Sequence, residues 1–114
     1  MLKMPQSVRI YVATAAVDMR KYADGLSALA MSSLGQEPMS GHVFVFFNRR
    51  RDIIRIFFWE RDGFWVLSKK VLKGHFRRMK TDRETASVMV TAQQLHEILS
   101  AIEIGRNNGK PTLH

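Results

Sequence analysis

The sequence contains no cysteine among its 114 residues. That absence excludes disulfide bonds, thiolate nucleophiles and zinc sites built on cysteine. The chain also lacks any apolar run near the ~20 residues that a membrane-spanning helix needs, and its first residues hold no hydrophobic segment of signal-peptide length. We therefore expect a cytoplasmic protein with a single domain, since a chain of this length buries roughly two-thirds of its unfolded surface without a metal or a crosslink.

Candidate catalytic groups are scarce as well. Asp18 and Asp24 are six residues apart on a predicted helix and so lie on different faces. Glu60 and Asp62 share a turn, where carboxylates are usually solvated. The four histidines show no metal-ligand spacing, and no acidic cluster that could bind two magnesium ions is visible. We predict no catalytic residue, no metal site and no cofactor, and therefore no enzyme.

Positive charge is abundant, and it is concentrated in one part of the chain. The formal net charge is +8, and residues 49–83 alone contain twelve basic and four acidic side chains. The six basic and six acidic side chains elsewhere cancel. Such focusing favours binding to a polyanion, most simply the phosphates of DNA or RNA. The alternative is a solvated basic surface that keeps the protein soluble.

Three β-rich runs form the centre of the predicted fold, at residues 43–47, 53–59 and 64–71. The two connections between them contain asparagine, aspartate and glycine, which bond to nearby backbone or adopt a positive φ in tight turns. This pattern predicts a three-stranded antiparallel meander.

The register of the meander decides which side chains share a face. If both turns close without a bulge, Phe47 faces Ile53 and Trp59 faces Phe64. One face is then apolar throughout and must be buried; it carries Phe44, Phe46, Ile54, Ile56, Phe58, Trp65 and Leu67. The other face is expected to be only partly covered; it carries Val43, Val45, Phe47, Ile53, Arg55, Phe57, Trp59, Phe64, Val66, Ser68 and Lys70.

In that register Lys70 lies beside Ile53, so the lysines near the end of the third run return to the loop that holds three consecutive arginines. We expect one basic patch there, continued by an exposed arm at residues 73–80. The candidate nucleic-acid-binding residues are Arg49, Arg50, Arg51, Arg55, Lys69, Lys70, Lys73, Arg77, Arg78 and Lys80. On the partly covered face, the aromatic residues Phe57, Trp59 and Phe64 are candidates for contact with a protein partner.

The remaining segments predict an α+β fold, a mainly antiparallel sheet packed by two helices. Residues 7–13 and 87–90 have strand patterns. One helix is expected from residue 19 to about residue 34, with Asp18 as its N-cap. A second is expected to begin after Thr91, which has capping-box spacing to Gln94, and to end at Gly105. We expect one domain over residues 1–104 and a flexible tail over residues 105–114.

Several fragments, taken in order, resemble one known family. They are Val17-Asp18-Met19-Arg20-Lys21, Asp24-Gly25-Leu26, residues 40–46, residues 48–52, Trp59 with Asp62-Gly63-Phe64, and Thr91-Ala92-Gln93-Gln94-Leu95. Together they resemble the small TnpB-type accessory protein of insertion sequence family 66, which is distinct from the RNA-guided nuclease also called TnpB. The resemblance implies a bacterial mobile-element protein, encoded beside a separate transposase and needed for efficient transposition.

Charge and resemblance together favour a non-enzymatic accessory protein that binds DNA through its basic surface and acts beside the transposase. A protein-binding adaptor, whose basic patch meets the transposase or another acidic partner without contacting DNA, is the alternative. A nuclease or strand-transfer enzyme is the least favoured interpretation.

Overall fold

The structure, a computed structural model, describes residues 7–78 and 85–104. Lys80 and the expected tail at residues 105–114 lie outside the described residues. In chain order the elements are β1 (Ile10–Ala13), α1 (Ala23–Ser32), a 3-10 helix (Pro38–Ser40), β2 (Val43–Phe47), β3 (Ile53–Glu60), β4 (Gly63–Lys70), β5 (His75–Phe76), β6 (Ser87–Val90), α2 (Ala92–Ser100) and β7 (Ile102–Glu103).

Five strands form the main sheet, in the order β4-β3-β2-β1-β6. The β2-β3-β4 meander is confirmed, and β1 and β6 join it as further strands. Strand β1 runs parallel to β2, and the other neighbouring pairs are antiparallel. A parallel pair needs a long crossover connection, which the segment carrying α1 supplies. The fold class is α+β, as predicted.

Helices cover both faces of the sheet. On one face, Leu26 and Ala30 of α1 are fully buried against the aromatic core residues Phe44, Phe46 and Phe57. On the other face, α2 and β5 cover a second core cluster, formed by Ile10, Val12, Val43, Val45, Phe47, Ile54, Phe76, Leu95 and Ile98. The sheet is therefore the middle layer of three.

The first hairpin differs from the predicted register by one residue. Phe47 pairs with Ile54 rather than Ile53, whereas the Ile53–Lys70 and Trp59–Phe64 pairs are as predicted. The cause is Asn48, whose backbone N–H donates to the Ile53 carbonyl at 3.2 Å while its side-chain oxygen accepts from the Ile53 N–H at 3.0 Å. Asn48 and Ile53 thus close the loop as an additional pair. Because side chains alternate along a strand, this shift moves all of β2 to the opposite face.

The predicted membership of the two faces is therefore wrong for β2. Phe44 lies with Phe57 under α1, and Phe47 lies with Ile54 on the side of α2. The face predicted to be buried throughout is also open at its β4 end. There Trp65 is 48% exposed and Leu67 is 46% exposed.

Helix α1 begins at Ala23, four residues later than predicted, and Asp18 is not its N-cap. One oxygen of the Asp18 side chain accepts from the Arg20 N–H at 2.9 Å, and the other accepts from the Arg20 guanidinium at 2.7 Å. Asp18 therefore closes a turn of its own ahead of the helix.

Helix α2 has the predicted start and a different end. The Thr91 hydroxyl accepts from the Gln94 N–H at 3.0 Å, and the Gln94 side chain accepts from the Thr91 N–H at 2.8 Å, so the capping box is confirmed. The helix ends at Ser100 rather than Gly105, because the chain then forms β7. Strand β7 pairs with β5, where an exposed arm was predicted. The prediction of an exposed arm is wrong at Phe76, which is fully buried. Its ring centroid lies 5.7 Å from that of Phe47.

Candidate nucleic-acid interface

The β2–β3 loop presents Arg49 and Arg50 to solvent on a rigid base. The Arg51 N–H donates to the Asn48 carbonyl at 3.1 Å, and the Asn48 side-chain amide donates to the Asp52 carboxylate at 2.6 Å. These bonds close the loop beneath the two exposed arginines. Arg49 and Arg50 therefore project from a fixed platform rather than from a free loop.

The segment after β4 packs against this loop. The Val71 N–H donates to the Asp52 carbonyl at 2.8 Å, and the Phe76 N–H donates to the Arg51 carbonyl at 2.8 Å. The Arg51 guanidinium reaches in the opposite direction and donates to the Arg77 carbonyl at 3.0 Å. Segments some 25 residues apart in sequence are thus joined. The cations that flank them come to one end of the sheet.

We call the exposed cations of these joined segments the basic end; its members are Arg49, Arg50, Lys69, Lys70, Lys73, Arg77 and Arg78. Within the part of the chain that the structure describes, the one ion pair joins Arg20 to Asp18, at 2.7 Å. None of the seven members therefore has a described carboxylate within 4.0 Å. No carboxylate of the described residues therefore neutralises their charge.

Arg51 has a different environment from its two neighbours in the loop. Its guanidinium lies 3.9 Å from the centre of the Phe47 ring and donates to the carbonyls of Phe76 and Arg77. Burial, and secondarily the positive charge of Arg78, lowers the pKa of Arg51 to about 10. The side chain remains protonated at neutral pH, and its donors are engaged inside the protein.

Arg55 is buried, with 6% of its surface exposed. Its Nε donates to the Ser68 hydroxyl at 2.8 Å, another guanidinium nitrogen donates to the Lys21 carbonyl, and the Tyr22 ring lies 4.3 Å from its central carbon. Arg55 thus connects β3, β4 and the chain that enters α1. The structure brings it near the basic end without exposing it.

The aromatic residues predicted to meet a partner form a cluster in which Phe57 and Phe64 pack with the core under α1. Phe57 has no exposed surface, and its ring stacks on that of Phe64 with 4.6 Å between the ring centroids. The Trp59 ring contacts Phe64 edge-on, with 5.0 Å between centroids. Trp59 and Phe64 are partly buried. The exposed aromatic side chain on β4 is instead Trp65, on the opposite face.

Sequence reasoning missed Lys21 as a neighbour of the basic end. Its carbonyl accepts from Arg55, and the preceding turn is attached to β2 by a bond from the Val17 N–H to the Phe47 carbonyl at 2.9 Å. The side chain of Lys21 is exposed. Lys21 lies outside residues 49–83, in the part of the sequence whose charges cancel. A count along the sequence cannot show that β1 brings this part of the chain to the same end of the sheet.

No helix within residues 7–78 and 85–104 is long and apolar enough to cross a membrane. Across the same two ranges, no three histidine, aspartate or glutamate side chains come together as a metal-binding group.

The chain is similar to known proteins along most of its length. The sequence model of a family described as "IS66 Orf2 like protein" matches residues 8–109. One relative, the uncharacterized protein y4jC of Sinorhizobium fredii, is 37% identical over 76 residues, which make up 67% of this chain and 65% of that protein. Another from the same organism, the uncharacterized protein y4hO, is 27% identical over 103 residues, covering 90% of this chain and 88% of that protein. No solved structure matches the chain.

Proposed function

Because this chain belongs to the IS66 Orf2-like family of transposition accessory proteins, we propose that it serves transposition by holding DNA at the basic end. In this proposal it makes no covalent change to the DNA and acts beside the transposase of the same element. The observation that carries the proposal is that, within residues 7–78 and 85–104, none of the seven cations of the basic end forms an ion pair.

The arrangement of these cations suits a phosphate backbone. Arg49 and Arg50 project from a closed hairpin, and arginine binds phosphate in a planar, two-pronged geometry. Lys69 and Lys70 follow one another on β4, so they point to opposite faces of the sheet. The basic end is therefore a ridge across the end of the sheet rather than one flat face. Contacts of this kind position DNA without reading its sequence.

Binding to a labelled duplex tests the proposal when two charge-matched variants are compared. The first variant, Arg49→Glu with Arg50→Glu, changes two exposed members of the basic end. The second, Arg9→Glu with Arg61→Glu, makes the same change of net charge at two exposed residues near the opposite end of the sheet. At moderate salt we expect the first variant to lose at least tenfold in affinity, since two phosphate contacts become repulsions, and the second to lose much less.

Equal losses in the two variants would mean that net charge, rather than a defined surface, attracts the DNA. Absence of binding by the wild-type protein at low salt would remove the DNA proposal. It would favour the adaptor, in which the same ridge meets an acidic protein partner. Circular dichroism of both variants checks that the substitutions leave the fold intact.

A further inference from the structure

Strand β4 is a long edge strand whose outer side has no described neighbour. It spans eight residues, Gly63–Lys70, and lies at the end of the sheet order, paired only to β3 within residues 7–78 and 85–104. The opposite edge, β6, has four residues. An edge strand of this length exposes a row of backbone donors and acceptors that another strand can satisfy.

Apolar side chains accompany this open edge. Trp65 and Leu67 are two residues apart and so share a face, and each leaves nearly half of its surface in water. The Trp65 indole N–H donates to the Glu60 carboxylate at 3.0 Å, which holds the ring over the start of the strand. The edge therefore offers a hydrophobic contact in addition to backbone hydrogen bonds.

The charges on β4 are separated along its length. Glu60 and Asp62 precede the strand at the hairpin turn, whereas Lys69 and Lys70 end it. Lysine on an edge strand usually prevents pairing. Here the lysines stand only at one end, and acids stand at the other, so two antiparallel copies of β4 place opposite charges together at both ends.

We propose that β4 is a self-association surface, through which two copies of this chain pair antiparallel and continue the sheet from one molecule into the next. This contact does not depend on the DNA-binding proposal. Alternate residues of an antiparallel strand bond to opposite sides. Because Glu60 and Gly63 flank the two-residue turn and pair with each other, Phe64, Val66, Ser68 and Lys70 direct their backbone groups away from β3.

This alternation allows several registers, and the one centred on Val66 is favoured by the apolar and charge pairs that it forms. Val66 then lies opposite the second copy's Val66, and Leu67 lies opposite the second copy's Trp65. The four exposed side chains, two from each copy, form one apolar cluster on a single face. Lys70 lies opposite the second copy's Asp62, and this pair occurs twice because the contact has two-fold symmetry.

Sedimentation of the full chain over a wide range of concentrations, without DNA and at low salt, tests the association. We expect a concentration-dependent dimer. Lys70→Asp should weaken it by about tenfold, since each of the two symmetric charge pairs becomes a repulsion. Lys70→Asp combined with Asp62→Lys should restore the association. The control Arg9→Asp makes the same change of net charge as Lys70→Asp at an exposed residue beside β1, three strands away from β4, and should leave the dimer largely intact.

The absence of native cysteine allows a direct test of the register. In hydrogen-bonded antiparallel pairs the Cα atoms are ~5.5 Å apart, within the range that a disulfide spans. Val66→Cys should therefore give a disulfide-linked dimer under mild oxidation. Met89→Cys, an exposed position on the other edge strand, should not.

A monomer at every concentration would overturn the proposal, and so would equal crosslinking of Val66→Cys and Met89→Cys. Failure of the combined Lys70 and Asp62 variant to regain the dimer would contradict the register. None of these measurements involves DNA, so their failure leaves the proposed function standing, and a loss of DNA binding leaves the dimer standing.

Discussion

Arg50 and Arg51 are adjacent in the sequence, yet they have opposite roles in the structure. Arg50 is exposed, whereas Arg51 contacts the Phe47 ring and donates to two backbone carbonyls of the segment after β4. The backbone of Arg51 also has φ 58°, a conformation that residues other than glycine seldom adopt. A run of three arginines therefore contains two cations that face solvent and one that fastens the loop.

We predict that Arg51→Ala lowers the free energy of unfolding by about 2 kcal/mol, because two hydrogen bonds and a cation–π contact are lost together. Arg50→Ala is the matched control and should change stability by less than about 0.5 kcal/mol. Denaturant unfolding measures both. Similar stabilities for the two variants would contradict the structural role assigned to Arg51.

The Asp18 carboxyl gives a prediction about pH. Hydrogen bonds from the side chain and backbone of Arg20 lower the pKa of Asp18 from 3.8 to about 2. A lowered pKa in the folded state means that the contact stabilises the fold above pH ~4 and that this contribution disappears as the pH falls toward 2. A carboxyl-detected NMR titration should find the low pKa, and Arg20→Gln should raise it. An unchanged titration in that variant would rule out the Arg20 side chain as the main cause.

Among the structural elements, the small β5–β7 sheet depends on a close approach at Gly74. Gly74 has φ 87°, and a Cβ added there would collide with the carbonyl oxygen of Glu103 in β7. Gly41 has the same φ, but nothing lies within 4 Å of the corresponding position. Comparing alanine substitutions at the two positions therefore distinguishes the loss of stability caused by the backbone conformation from the loss caused by the collision.

We predict that Gly41→Ala costs about 1–2 kcal/mol of stability, the typical penalty of a left-handed conformation. Gly74→Ala should cost at least ~1 kcal/mol more, because β7 must also move away. Thermal or denaturant unfolding of the two variants compares them. Equal costs would show that the pairing of β5 with β7 adds no constraint at Gly74.

Elements with local signals were predictable from the sequence. The meander follows from turn residues between β-rich runs, and the start of α2 follows from Thr91 and Gln94, three residues apart. The start of α1 was not predictable, because Asp18 can close either a turn or a helix and the choice depends on Arg20. Strand β7 was missed because its residues lie 26 and 28 positions from their partners in β5, and two-residue strands leave no periodic pattern.

The register of the first hairpin shows how one local bond changes a global assignment. Asn48 can bond within the loop or to Ile53, and the sequence does not distinguish these options. The choice decides whether Phe47 pairs with Ile53 or with Ile54, and with it which face receives Phe44 and Phe46. The exposed position of Trp65 and Leu67 could not be anticipated from a register in which that face was closed.

For the molecule as a whole, the concentration of positive charge was visible in the sequence, while the accessibility of each cation was not. Pairing of Ile53 with Lys70 brought the lysines of β4 to the arginine loop, as predicted. Arg55 and Arg51 could not be recognised as internal from a charge count, because each is held by backbone carbonyls that only the folded chain brings near. Lys21 lies at the same end of the sheet because β1 runs parallel to β2, which the sequence alone does not show.

The salt dependence of DNA affinity tests the central claim most directly. Each phosphate that a protein cation neutralises releases counterions, so the slope of log K against log salt counts the contacts. With five or six of the seven cations of the basic end engaged, the slope for a generic duplex should be about −5. In the Arg49→Glu and Arg50→Glu variant it should be shallower by about 2. Measurable affinity with a slope near zero, or no affinity at low salt, would contradict the account.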